Sequence, residues 1–158
     1  MTHASNELIT MKKYQVVVRY PQHIHPEDAQ QFDHLDALDV ESKFDSIQWK
    51  QQLVRQLQLE SHDTSFSVTD LETQHTIHLY LKSYATAGEL SFKLESNIAV
   101  EKSHKDLFGL LTIKSKDHVH FQNLPITQVR EYLSQFLSGY IVPMQEDYKM
   151  SLEKTSKA

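Results

Sequence analysis

The chain contains no cysteine, only three glycines and only four prolines among its 158 residues, and each shortage removes a class of chemistry. Without cysteine there is no disulfide framework, no thiolate zinc site and no cysteine nucleophile. Gly88, Gly109 and Gly139 lie far apart, so no glycine-rich loop is available to cradle a phosphate, and no Walker, G-x-G-x-x-G or G-x-S-x-G pattern occurs. Long apolar runs are missing as well. The opening MTHASNELITMKKYQVVVRY places its lysines after a polar stretch with no apolar run behind them, so neither a signal peptide nor a membrane span is expected, and the expected location is the cytoplasm.

Basic charge is also scarce. Sixteen Lys and Arg against 21 Asp and Glu give a net charge of −5, whereas a nucleic-acid binder normally shows a basic face. The deficit is concentrated. Seven acids (Glu27, Asp28, Asp33, Asp36, Asp39, Glu41 and Asp45) stand against the single Lys43, so residues 27–45 carry −6 and the rest of the chain +1.

What is present fits one ordinary domain. At 158 residues and 39% hydrophobic content the chain can bury a normal core. Met11 is a second candidate start. Residues 1–13 are expected to form a flexible tail, residues 14–143 a single domain, and the polar, lysine-rich residues 144–158 a short helix or frayed end.

Hydrophobic period divides the domain. Residues 14–20 alternate as a strand, with Val16 and Val18 on one face and Gln15 and Arg19 on the other, ended by Pro21 and Pro26. This strand is the candidate sheet edge. In the acidic stretch, Phe32, Leu35 and Leu38 recur every three residues and predict a short helix. A second helix is predicted over residues 45–60, capped by Asp45 or Ser46, with Trp49, Leu53 and Leu57 facing a sheet.

From residue 65 to 124 the period becomes two, and five strands are predicted from the sets Phe66/Val68, Ile77/Leu79/Leu81, Leu90/Phe92/Leu94, Leu111/Ile113 and Val119/Phe121. Their links are turns at 70–75, 83–88 and 115–117 and a longer connection at 96–106, short enough for an antiparallel meander. The intervening residues are polar, including His78, His118 and His120, as on a solvated sheet face. Residues 125–138 form an apolar stripe at helical spacing (Ile126, Val129, Tyr132, Leu133, Phe136, Leu137), with Gly139 placed to cap it. The expected fold is therefore α+β: a mainly antiparallel sheet of five to six strands with helices packed on one face.

Ten histidines invite a metal reading. His118 and His120 share a strand face with His78, and His23 and His25 lie near Asp28, Asp33 and Asp36, but neither pair has a complete ligand set and no H-E-x-x-H occurs. No stoichiometric metal, cofactor or catalytic residue is expected. The acidic block, with Phe32, Leu35, Leu38 and Val40 interleaved, suits a basic protein partner, because complementary fields steer encounter.

One resemblance follows these residues. The Phe44-Asp45-x-x-x-Trp49 helix start, a meander opening SFSVTDLETQHTIHLYL and a closing helix ending Phe136-Leu137-Ser138-Gly139-Tyr140 resemble small bacterial toxin-immunity proteins of the contact-dependent inhibition type. That resemblance implies a cytosolic, non-enzymatic inhibitor that binds a toxin domain, often a basic nuclease, with the acidic block as the contact. Two other classes are compatible with the same elements: a small-ligand binder or enzyme with a pocket between sheet and helices, and a structural accessory subunit that pairs through a strand edge.

Overall fold

The computed structural model describes residues 12–82, 89–105, 109 and 111–156. The expected tail lies outside the described residues except for Lys12 and Lys13, and so does the expected turn at 83–88. Lys12 and Lys13 are tied to the domain: the Lys12 ammonium meets Asp70 at 2.8 Å, and the Leu71 amide donates to the Lys13 carbonyl.

Six strands form one antiparallel sheet among the described residues: β1 (Tyr14–Arg19), β2 (Gln30–Leu35), β3 (Ser65–Asp70), β4 (Thr76–Lys82), β5 (Ser91–Lys105) and β6 (Thr112–Pro125), in the order β2-β1-β3-β4-β5-β6. Strict alternation of buried and half-buried residues along β1, β3 and β4 shows one covered and one open face. Helices α1 (Ala37–Ser46), α2 (Trp49–Leu59), α3 (Ile126–Leu137) and α4 (Val142–Ser156) supply the cover. The α+β expectation holds, and four details change.

The helix expected around Phe32 and Leu35 is the strand β2, paired with β1 through Val16 opposite Phe32 and Tyr14 opposite Leu35. A bulge explains the misleading spacing. His34 adopts φ +57°, and the extra residue lets Phe32 and Leu35 both pack on the core although three positions apart. β2 therefore takes the sheet edge, and β1 lies inside it rather than at the edge.

The helix expected over 45–60 is α2, which starts only at Trp49, and a separate helix, α1, precedes it. Asp36 caps α1 by accepting from the Asp39 amide at 2.8 Å, and α1 buries Val40 and Phe44. Ile47 is extended and buried, which breaks the chain before α2, so neither Asp45 nor Ser46 is a cap. Ser46 donates to the Lys43 carbonyl instead. Glu60, in the left-handed conformation at φ 49°, ends α2.

Among the described residues between 65 and 125 there are four strands, not five. The expected connection at 96–106 mostly continues β5, and the expected turn at 115–117 lies within β6, where Asp117 pairs with Val100 and Ser115 with Lys102. Between Glu95 and Ala99 the register shifts, which interrupts the alternation and imitates a loop; the Ser96 hydroxyl fills the gap by donating to the Val119 carbonyl at 2.7 Å.

The α3 helix matches its expected span. Gly139, at φ +75°, donates to Phe136 while the Tyr140 amide donates to Gln135, the paired bonds of a left-handed helix end. Beyond it, α4 buries Met144 and Tyr148, so the packed structure runs past residue 143. Tyr148 donates to Asp117, and that bond together with Lys102 outweighs the desolvation of Asp117 and holds its carboxyl down at about 2.

The space between sheet and helices is filled by aromatic rings. Phe44 lies 5.4 Å from Phe66 and 5.1 Å from Trp49, which in turn lies 5.1 Å from Phe92. Tyr14 donates to the Leu137 carbonyl at 2.7 Å, and burial pushes its hydroxyl up to about 12.

Candidate partner-binding surface

The seven acids do not form one patch. Glu41 and Asp45, on α1, face Arg130 of α3: the guanidinium meets Asp45 at 2.9 and 3.1 Å and Glu41 at 3.4 Å. The pair of carboxylates holds the Arg130 charge more firmly than usual, Asp45 contributing most. These two acids pin α1 to α3 and are neutralised in place.

The other five follow β2. Glu27 and Asp28 lie in the 3₁₀ turn Pro26–Asp28 before the strand, Asp33 lies within it, and Asp36 and Asp39 follow it at the start of α1. At strand rise, six residues extend about 20 Å, so the carboxylates are spread along one edge of the molecule. Internal bonds fix several of them without cancelling their charge. Asp28 accepts from the His25 amide at 3.1 Å, Asp36 caps α1, and Asp33 accepts from Gln15 at 2.9 Å and Gln31 at 3.2 Å. The bonds from Gln15 and then Gln31 hold the Asp33 carboxyl below the usual range. Lys43, the one base of the segment, has its ammonium 3.6 Å from the centre of the Phe32 ring.

Two further features mark this edge. Among the described residues β2 ends the sheet, and one row of its backbone N–H and C=O groups has no described strand beside it. At its two ends stand Ile24 and Leu38, 75% and 74% exposed, more than any other large apolar side chain among the described residues.

The histidines stay apart. His23 uses its Nδ1 to accept from the Tyr20 amide at 2.9 Å. His25 lies at the turn and reaches Asp28 only through its backbone. On the open face His118 and His120 are exposed, with His120 Nδ1 bonded to the His118 carbonyl and its ring 4.9 Å from Tyr148. His78 is half-buried and lies 2.7 Å from the Ser67 hydroxyl. Among the described residues no group of three or more His, Asp and Glu is arranged to hold a metal ion.

Sequence reasoning missed the row Ser67, His78, Glu95, which register places side by side on β3, β4 and β5. Burial lowers the His78 pKa, with Glu95 opposing. Ser67 has β1 on one side and β4 on the other, so the backbone donors around it belong to those ladders instead of converging on an oxyanion. The role of Arg130 was also missed: nothing in the spacing of residues 41, 45 and 130 announces a contact across 85 residues.

Comparison with family models, with curated proteins and with solved structures finds no match for this chain. No helix among the described residues is long and apolar enough to cross a membrane.

Proposed function

We propose that this chain is a protein-binding module that holds a basic protein against the β2 edge, in the manner of an inhibitor that neutralises a toxin domain by direct binding. The observation that carries the reading is the coincidence of a strand edge open among the described residues, five carboxylates along it, three of them held by hydrogen bonds, and an exposed apolar anchor at either end. Each part has its own role. The carboxylates steer and orient a cationic surface, Ile24 and Leu38 supply area that gains by leaving water, and the unpaired backbone row accepts an extended segment as a further strand. A basic nuclease surface, itself shaped to hold phosphates, has the complementary charge.

The test is capture of a partner from the source cell with the purified protein, identification by mass spectrometry, and repetition with Glu27→Lys/Asp33→Lys/Asp39→Lys. Asp36 is spared because it caps α1 and its loss would cost about 1 kcal/mol of fold stability. A basic partner retained by the wild type and lost by the folded variant supports the reading; an acidic partner, or one retained by both, refutes it.

A further inference from the structure

The α2 helix buries two glutamines beside Trp49 and leaves three apolar side chains exposed, and this points to a second surface that does not depend on the β2 edge. Its buried positions are Trp49, Gln52 and Gln56, while Val54, Leu57 and Leu59 are more than half exposed. Buried glutamines beneath exposed leucines reverse the usual economy of a surface helix. On the outer face, Lys50, Val54 and Leu57 follow one another at helical spacing, with Gln51, Arg55 and Gln58 in the adjacent row, and all six are exposed. Neither Lys50 nor Arg55 makes an ion pair with any described residue. At its N-terminal end this face adjoins a groove of about 540 Å³ lined by the apolar Phe44, Ile47, Trp49, Leu90 and Ile126 together with Asp45 and Lys50.

We propose that the outer face of α2, from this groove to Leu57, is a docking surface for an acidic amphipathic helix of a partner protein. The apolar groove takes one large side chain of that helix, the Val54–Leu57 row takes the next turn of its apolar stripe, and Lys50 and Arg55 face its carboxylates. Charge decides the occupant: within a chain of net charge −5, this face presents two cations without an ion pair among the described residues, and its one acid before Glu60, Asp45 at the groove, is already answered by Arg130. Helix-in-groove recognition has this form, with anchors spaced by three and four residues.

The probe is a fifteen-residue helical peptide with leucine at i, i+3/i+4 and i+7 and glutamate elsewhere, beside a control in which every glutamate is lysine. Trp49 is the only tryptophan of the chain and lines the groove, so its emission reports docking. The expected result is a saturable change with the acidic peptide, at least tenfold weaker with Leu57→Asp and with Lys50→Glu/Arg55→Glu, the latter now preferring the basic peptide. Circular dichroism checks that the variants remain folded. Three outcomes overturn the proposal: no saturable change, a change the variants do not affect, or a preference of the wild type for anionic phosphatidylglycerol vesicles or for its own second copy, read by sedimentation.

Discussion

Helices α1 and α2 are consecutive and nearly equal in length, and beyond the shared contact of Phe44 with Trp49 they are built on different plans. The α1 helix buries apolar side chains and shows acids, two of them answered by Arg130. The α2 helix buries Gln52 and Gln56 beyond Trp49, and shows Val54, Leu57 and Leu59 with two cations that have no ion pair among the described residues. The difference lies in what each must satisfy beneath it. Under α1 is the aromatic cluster, which rewards Phe44. Under α2 lie the start of β3 and the end of β4, where backbone groups need partners: Gln56 accepts from the Thr64 amide and hydroxyl at 2.9 and 2.8 Å and donates to the Leu81 carbonyl at 2.9 Å. An unsatisfied buried donor or acceptor costs as much as a buried methyl group or two contributes, so polar satisfaction turns the helix.

The contrast can be broken at its anchors. Phe44→Ala is expected to cost the most, about 3–5 kcal/mol, because it leaves a hole among Phe66, Trp49 and Phe92. Urea unfolding with an unchanged slope measures it. Gln56→Ala is expected to cost about 3 kcal/mol although it removes no apolar contact, since Thr64 and Leu81 are left buried and unpaired. A loss below about 1 kcal/mol would show that α2 is oriented by something else.

Arg130→Gln is expected to cost only about 1 kcal/mol, the ion pairs being partly exposed, but it frees Glu41 and Asp45 and so should steepen the salt dependence of any cationic partner's association. Stopped-flow association at several salt concentrations detects that change. The smallest effect is expected at Gln52, whose buried Oε1 has no partner among the described residues. Gln52→Leu should be neutral or stabilise by up to about 1 kcal/mol, the reverse of its neighbour one turn away.

Much of the fold was legible because alternation survives wherever a strand is uninterrupted. The inward sets of β1, β3 and β4 and the stripe of α3 are read directly from apolar spacing, and each buried face proved to be the one expected. Legibility failed at bulges, where an extra residue shifts the parity: His34 made β2 resemble a helix, and the shift after Glu95 made half of β5 resemble a loop. It failed again in α2, because a pattern of apolar residues does not reveal that a carbonyl and an amide from distant strands will need a glutamine. The acidic block was visible as composition. Which of its members remain available was not, since that depends on Arg130, which is remote in sequence and close only in the fold.

The claim that the β2 edge recognises a cationic protein is tested most directly by the association rate of the captured partner as a function of salt, measured for the wild type and for Glu27→Lys/Asp33→Lys/Asp39→Lys. Screening shortens the reach of exposed charges to about 8 Å at physiological ionic strength, so the wild-type on-rate should fall steeply with salt while the off-rate changes little. The charge-reversed protein, folded by circular dichroism, should associate at least tenfold more slowly at low salt and lose that dependence. Equal on-rates for the two proteins, with the same slope against salt, would contradict the account.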